Sequence, residues 1–404
     1  MKKELRSGFT TGACAAAAAK GAAEMLAGQI LLNEVTIDLP AGFSASFQLH
    51  GQSFSVSEAS CFVIKDAGDD PDVTNGAEVH ATVTLLPHPL PGPPLEREGK
   101  ILISGGTGIG KVTKPGLAIP PGEWAINPVP RRMIEEAVRS AFSTSTSTSL
   151  KITISIPDGE ERAKKTLNQR LGIIGGLSVL GTTGIVRPIS AKAWTDTIDA
   201  ALDVARACGC QTVVLSTGRT SEMAVQKHLN RTPPPLTGGG RGVGEVATSN
   251  SAANAASPPT LTLPRQGGGD IFFPEEAFIM MGDHVAYALQ ACAKRSFTQP
   301  VIACQFAKLL KIACGHENTH AAASELDLGN LCRWSEAEKL PPELISLIRQ
   351  ANTAREIAVA SAFNRDLIEV VVHRAEGAAF RHSALSGTRY IVCDYNGNVV
   401  RPGF

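Results

Sequence analysis

This sequence has no surplus of charge. Its 38 Lys and Arg residues stand against 38 Asp and Glu, so the 404-residue chain is formally neutral. A protein whose main task is gripping a polyanion carries a basic excess, so nucleic acid is not an expected partner. Nor is there an uninterrupted apolar run approaching about 20 residues, and no transmembrane helix or membrane partner is expected. The nine cysteines lack a regular framework. Cys208 and Cys210 are separated by one residue, where redox and zinc motifs use two. They read as reduced, mostly buried thiols of a cytoplasmic protein. The basic start is read as leading into a helix rather than a secretory core. The Ala13–Ala19 run is weakly apolar, contains Cys14 and stops at Lys20, which is helix composition.

What is present is enough chain for two domains and a large core, needing no disulfide or metal staple. The first part reads as α+β. Thr10 and Thr11 can cap a helix from about Gly12 to Ala27, with Gly28 as its stop. Val35, Ile37 and Leu39 alternate along one strand face, as do Val79, Ala81, Val83 and Leu85, and then Ile152, Ile154 and Ile156. A helix is expected from about Arg131 to Phe142, and the Ser143–Ser149 run reads as a solvated loop. Near residue 190 the pattern changes. Trp194, Ile198, Ala201, Leu202 and Ala205 recur at helical spacing, and Gly209 stands where a cap belongs. Strand, short loop and helix then repeat through Thr212–Leu215, Phe278–Met281 and Pro300–Ala303. That repetition predicts a parallel sheet with crossover helices. The expected division is 1–190 and 191–404. Residues 231–270 hold six prolines and eight glycines, and a Pro-Pro-Pro-Leu-Thr string is echoed by Pro-Pro-Thr-Leu-Thr. They read as a disordered, duplicated surface insertion.

Several motifs could carry chemistry. Gly105-Gly106-Thr107-Gly108-Ile109-Gly110-Lys111 matches the start of a phosphate-binding loop. Val112 lacks the hydroxyl that would ligate magnesium, and Pro115 breaks the helix that should follow. A P-loop-like phosphotransferase is therefore the weaker alternative, although such a loop can still approach another ligand through its N–H groups. Arg131 and Arg132 fall in the expected first turn of their helix. Positive charge opposes the macrodipole there at roughly 0.3–1 kcal/mol each, so an anion site is the functional reading and local ion pairs the bland one. Asp66, Asp69, Asp70 and Asp72 lack the ligand order of a calcium loop and suit turns and caps. His316 and His320 follow Gly315, where the preceding helix should have ended, and no third ligand is evident, so no metal is expected. Glycines 172, 175, 176, 181 and 184, with Thr182 and Thr183, read as a flexible stretch able to close on a ligand.

Taken together the strings are specific. Arg6-Ser-Gly-Phe-Thr-Thr-Gly-Ala-Cys-Ala15, Lys65-Asp-Ala-Gly-Asp-Asp-Pro-Asp-Val-Thr74, Gly105–Lys111 with Lys114-Pro-Gly-Leu, Ile126-Asn-Pro-Val-Pro-Arg131, and Gly181-Thr-Thr-Gly-Ile-Val186 with Pro188-Ile-Ser190 occur in the order of one family. The chain resembles the CbiD family, the cobalt-precorrin-5B (C1)-methyltransferases of anaerobic cobalamin synthesis. Beyond residue 190 the resemblance is looser. Ala307-Lys308 and Gly315–His320 only approximate a family segment, and 231–270 looks foreign.

The resemblance implies a two-layer α+β domain followed by a Rossmann-like three-layer α/β domain. It also implies transfer of the methyl group of S-adenosylmethionine to carbon 1 of a cobalt-containing corrinoid, the cobalt belonging to the substrate. Such a substrate carries many carboxylates, so Thr10, Thr11, Lys111, Lys114, Arg131, Arg132 and Arg187 are the expected substrate-binding residues. Gly181, Thr182, Thr183, Gly184, Gly218 and Asp283 are the expected donor-binding residues: the first four in the stretch that can close on a ligand, Gly218 and Asp283 because open parallel sheets bind ligands at the carboxyl ends of their strands. No catalytic side chain is assigned, since positioning can supply much of such a reaction. A non-catalytic tetrapyrrole carrier is the other alternative, and homo-oligomerisation is left open.

Overall fold

A computed structural model of the chain describes residues 5–86, 99–142, 149–188, 190–229 and 273–403. The Pro/Gly-rich stretch at 231–270 and most of the Ser/Thr run lie outside the described residues. The protein is a mixed α/β structure.

The first half opens with β1 (Gly8–Phe9) and α1 (Thr11–Gly28), followed by β2 (Glu34–Leu39), β3 (Phe43–Gln48), β4 (His50–Phe54), β5 (Glu58–Ile64) and β6 (Glu78–Leu85). Then come β7 (Ile101–Gly105), β8 (Lys111–Val112), α2 (Pro128–Ala141), β9 (Leu150–Ser155), α3 (Gly159–Ala163), β10 (Ile173–Ile174) and β11 (Ile185–Val186). Five strands form a sheet in the order β4-β5-β6-β9-β7. Its pairs are antiparallel except β7 with β9. The expected alternation is present: Val79, Ala81 and Val83 are buried beside Ile152 and Ile154.

Helix α1 lies between this sheet and α2, and Ala13 to Ala19 are buried all round. Alanine suits that place because a helix enclosed on every side must let its neighbours approach closely. At Gly21 even a methyl group would come within 2.5 Å of Leu49. Thr10 caps the helix as expected, its Oγ1 accepting the Ala13 N–H at 3.2 Å. The stop falls one residue late, since Gly28 is still helical and Gln29 takes the left-handed turn at φ 52°.

The second half comprises α4 (Ala191–Ala207), β12 (Val214–Ser216), α5 (Arg219–Leu229), β13 (Phe278–Met280), α6 (Val285–Lys294), β14 (Val301–Gln305) and α7 (Phe306–Ala313). It continues through α8 (Leu328–Ala337), α9 (Pro342–Gln350), α10 (Ala354–Ala360), α11 (Arg365–Ser383), β15 (Arg389–Cys393) and β16 (Val399–Arg401). The sheet order is β13-β12-β14-β15-β16, parallel up to β15 and closed by an antiparallel edge. Its central strands β12 and β14 are buried and apolar up to their carboxyl ends, where Ser216 and Gln305 stand, as burial on both faces requires. Gly209 takes the expected left-handed cap conformation after α4. Buried apolar residues form two main clusters, one running from Ala13 to Val179 and one from Ile198 to Cys393.

Candidate functional site

The quoted N-terminal strings meet in space. β1 pairs antiparallel with β11, setting Gly8 opposite Val186 and Phe9 opposite Ile185. On its other side β1 rests on the Asp66–Asp69 turn: the Phe9 N–H donates to Asp66 O at 2.7 Å, and Arg6 grips the Asp66 carboxylate at 2.5 and 2.8 Å. The two backbones approach so closely that a Cβ on Gly8 would fall 2.1 Å from the Ala67 carbonyl carbon. Behind this turn the buried Lys65 ammonium is paired with Asp72 and donates to Thr74 Oγ1 at 2.7 Å. Burial opposes the charge of Asp72, but Lys65 and Thr74 outweigh it and hold its carboxyl below the usual range. The acidic cluster therefore serves ion pairs and turns.

Thr10 and Thr11 are buried beside this junction. The Thr10 N–H donates to Gly184 O at 2.9 Å, and Gly181, at φ 131°, leaves no room for a Cβ beside the Thr10 side chain. Thr182, Thr183 and Arg187 are exposed. The expectation of a flexible closing stretch over 172–184 needs correction. Gly172 abuts Lys114, Gly176 abuts Gly108, Gly181 abuts Thr10 and Gly184 abuts Leu39, so four of its five glycines are close-packing positions.

The Gly105–Lys111 string is no phosphate cradle. Its Gly106, Ile109 and Gly110 N–H groups donate to Ile154, Gly106 and Leu177 carbonyls. A strand, β8, follows in place of a helix, and the Lys111 ammonium lies over the Trp124 ring at 4.6 Å. The phosphotransferase alternative has no geometry to stand on. Arg131 converges on the same tryptophan, reaching Ile126 O at 3.1 Å and Trp124 O at 3.5 Å. Its expected place in the first helical turn is also corrected. Asn127 is the N-cap and Pro128 opens α2, so Arg131 already donates its N–H to Asn127 O at 3.0 Å, and the exposed Arg132 follows. Lys114 is drawn toward the second half, with its ammonium 2.7 Å from Glu276.

At the carboxyl ends of the second sheet the expected turns also meet. Ser216 O accepts the N–H groups of Met281 (3.0 Å) and Gly282 (3.2 Å), bringing the Ser216–Gly218 turn against Gly282-Asp283. Ser216 Oγ is buried without a hydrogen-bond partner among the described residues, and a Cβ at Gly218 would meet open space. Asp283 is engaged through Oδ1 by the Lys308 ammonium and by the Thr319 hydroxyl at 2.6 Å. Burial opposes its charge, but Lys308 and Thr319 prevail and hold the carboxyl below its usual range. Trp194 reaches the same turn, its Nε1 donating to Met281 O at 3.0 Å. Lys308, Thr319 and Trp194 were not among the expected site residues. The strings Ala307-Lys308 and Gly315–His320 were the only sequence signal for two of them. His316 and His320 follow α7 on irregular backbone, and His320 Nδ1 accepts the Ala322 N–H at 3.2 Å. Among the described residues no group of His, Cys, Asp and Glu is arranged to hold a metal ion, and no helix is long and apolar enough to cross a membrane. All nine cysteines are free thiols.

The open, mostly parallel second sheet, with a polar network across its strand ends, and the mostly antiparallel first sheet make this a mixed α/β protein. The comparisons with known proteins are more particular. The CbiD family model matches residues 1–188, and the model described as CbiD, C-terminal domain, matches residues 318–401. The cobalt-precorrin-5B C(1)-methyltransferase of Pelobacter propionicus is 57% identical over 404 residues, covering 99% of this chain and 97% of that protein. The protein of the same name from Geotalea daltonii is 52% identical over 397 residues, covering 98% of each. A crystal structure of cobalamin biosynthesis protein (cbiD) from Archaeoglobus fulgidus is 26% identical and covers 76% of this chain and 79% of that one, with a TM-score of 0.36. The chain belongs to the CbiD family.

Proposed function

We propose that the protein is the cobalt-precorrin-5B C(1)-methyltransferase of its organism, using S-adenosylmethionine to give cobalt-precorrin-6A in the anaerobic route to cobalamin. One observation carries this reading: relatives bearing that name align with this chain from end to end at 57 and 52% identity. We take residues 1–190 and 191–404 as two domains, α+β and Rossmann-like, with the second binding the donor.

Residues at the strand ends fit such a donor. The partnerless Ser216 Oγ and the space around Gly218 suit a polar ligand lying against the turn. Asp283 Oδ2 has no hydrogen-bond partner among the described residues and is available to a hydroxyl or ammonium donor, while Lys308 and Thr319 fix the other oxygen. The donor supplies an electrophilic methyl on a positive sulfonium. The ring carbon attacks that methyl, the carbon–sulfur bond breaks in line, S-adenosylhomocysteine leaves, and the positive charge passes to the conjugated ring. The ring is itself the nucleophile, so the protein's part is alignment and exclusion of water.

Purified full-length chain incubated with cobalt-precorrin-5B and methyl-labelled S-adenosylmethionine tests the reading. Labelled ring and S-adenosylhomocysteine are expected in equal amounts. Corrinoid that binds and stays unlabelled would instead make the protein a carrier.

A further inference from the structure

A cleft of about 390 Å³ opens between the chain segment after α3 and the first turns of α5. Its walls include Lys164, Lys165, Gln169, Arg170, Arg219 and a single acid, Glu275. One wall comes from the first half of the sequence and the other from the second, and that volume is within the range of small-molecule sites. A formally neutral chain has thus gathered four cations about one opening.

The arginines are held in place from behind. Glu222 is wholly buried, and its carboxylate is paired with Arg170 through one oxygen and with Arg219 at 2.8 Å through the other. Two guanidiniums share one carboxylate, so a net positive charge is left facing the cleft. Lys164 is paired with Glu161, and the exposed Lys165 has no side-chain partner among the described residues. Arg219 opens α5, where the helix dipole disfavours a cation, and it directly follows Gly218. One wall of the cleft thus begins a single residue along the chain from the turn that the proposed donor would use. Converging guanidinium and ammonium groups that outnumber the acids around them, here Glu161, Glu222 and Glu275, select carboxylates.

We infer that this cleft binds the carboxylate side chains along one edge of a polycarboxylate tetrapyrrole, with Arg170 and Arg219 as fixed forks and Lys165 as a mobile cation. This deepens the function proposed above and rests on it. It moves acid recognition to residues that no sequence motif marks.

Two measurements on the full chain test it. The first is fluorescence titration with uroporphyrin, a polycarboxylate porphyrin, at low and high salt. The second is the KM for cobalt-precorrin-5B in the methylation assay. Lys165→Ala is expected to raise Kd and KM about fivefold, and Lys165→Glu about tenfold or more, with Lys165→Arg restoring both. The salt dependence should weaken in parallel. Lys165 is exposed, so unaltered thermal unfolding of its variants guards against a folding artefact; Arg219→Lys is a second probe that keeps the charge on Glu222. The control Lys192→Ala, on the exposed face of α4, should behave as wild type. Wild-type chain that ignores uroporphyrin, or Lys165→Glu with unchanged Kd and KM, overturns the cleft and leaves the methyltransferase standing. Charge-dependent uroporphyrin binding without any methyl transfer by the wild type supports the cleft and sinks the methyltransferase.

Discussion

Replacing Asp72 by alanine would leave the Lys65 ammonium buried, at 1% exposure, with Thr74 Oγ1 as its remaining hydrogen-bond partner. Stranding one member of a buried ion pair costs about 3–5 kcal/mol. The same change removes two bonds that Thr74 makes to Asp72 Oδ1, at 2.7 and 2.6 Å, together worth roughly another 1 kcal/mol. A loss of about 5 kcal/mol at roughly 2–4 °C per kcal/mol lowers Tm by about 10–20 °C. The double variant Lys65→Met, Asp72→Ala should recover much of this, because it removes the stranded charge. Scanning calorimetry against pH gives a second readout. The folded carboxyl lies below its unfolded value of about 3.9, so the pair's contribution is complete above that value and is lost as pH falls through the folded one. Wild type and Asp72→Ala should therefore differ by a constant amount from about pH 5 to 8 and converge in acid. The damage should reach the site, because the Lys65–Asp72 turn seats β1, and β1 holds the Gly184–Val186 segment. Amide exchange at Phe9 should accelerate with it. An Asp72→Ala variant within about 1 kcal/mol of wild type, or a gap that widens in acid, would refute the reasoning.

Gly108 has φ 72°, and a Cβ there would sit 1.8 Å from Ile156 O, so Gly108→Ala must displace backbone and should cost about 3 kcal/mol or more by urea denaturation. Wild type should also bind no Mg-ATP in equilibrium dialysis; binding there would reinstate the phosphate-loop reading. Asp283→Ala and Thr182→Ala should each weaken S-adenosylmethionine binding, and unchanged affinity in both would remove these turns from the donor site. Because the folded Asp283 carboxyl lies below its usual range, wild-type donor affinity should be flat from about pH 5 upward and fall only in acid.

Local structure was legible wherever one residue type could satisfy only one role. Thr10 before an alanine run can do little but cap a helix, and Val79, Ala81 and Val83 can only line a strand face. The repeated strand–turn–helix grammar after residue 190 led to the parallel sheet because each unit needs its neighbour to bury a face. The error at α2 has the same root. Asn127 and Pro128 are themselves an N-cap and a first helical residue, and reading the helix from Arg131 ignored the pre-set φ of proline. At Gly105–Lys111 Val112 and Pro115 already spoke against a phosphate loop, but the sequence did not show what the glycines approach instead. Glycine is required both where a phosphate approaches backbone and where another backbone does, and no spacing distinguishes the two. Only the contacts of Gly108 with Ile156 and of Gly176 with Gly108 decide it.

Site charges were the least legible feature, for an electrostatic reason. A cation in the sequence has the same composition whether it meets an acid of its own chain or faces an empty cleft. Lys114 looked available until Glu276, from the other half, stood 2.7 Å away. Lys164, Lys165 and Arg170 belong to no motif, and only the fold brings Arg219 to them across the cleft. What separates the two cases is the residual charge left after internal pairing, and that depends on partners tens of residues away. A neutral chain can therefore serve a polyanionic ligand. It needs only one place where cations outnumber their acids, and the shared carboxylate of Glu222 creates such a place by holding two arginines with a single negative charge.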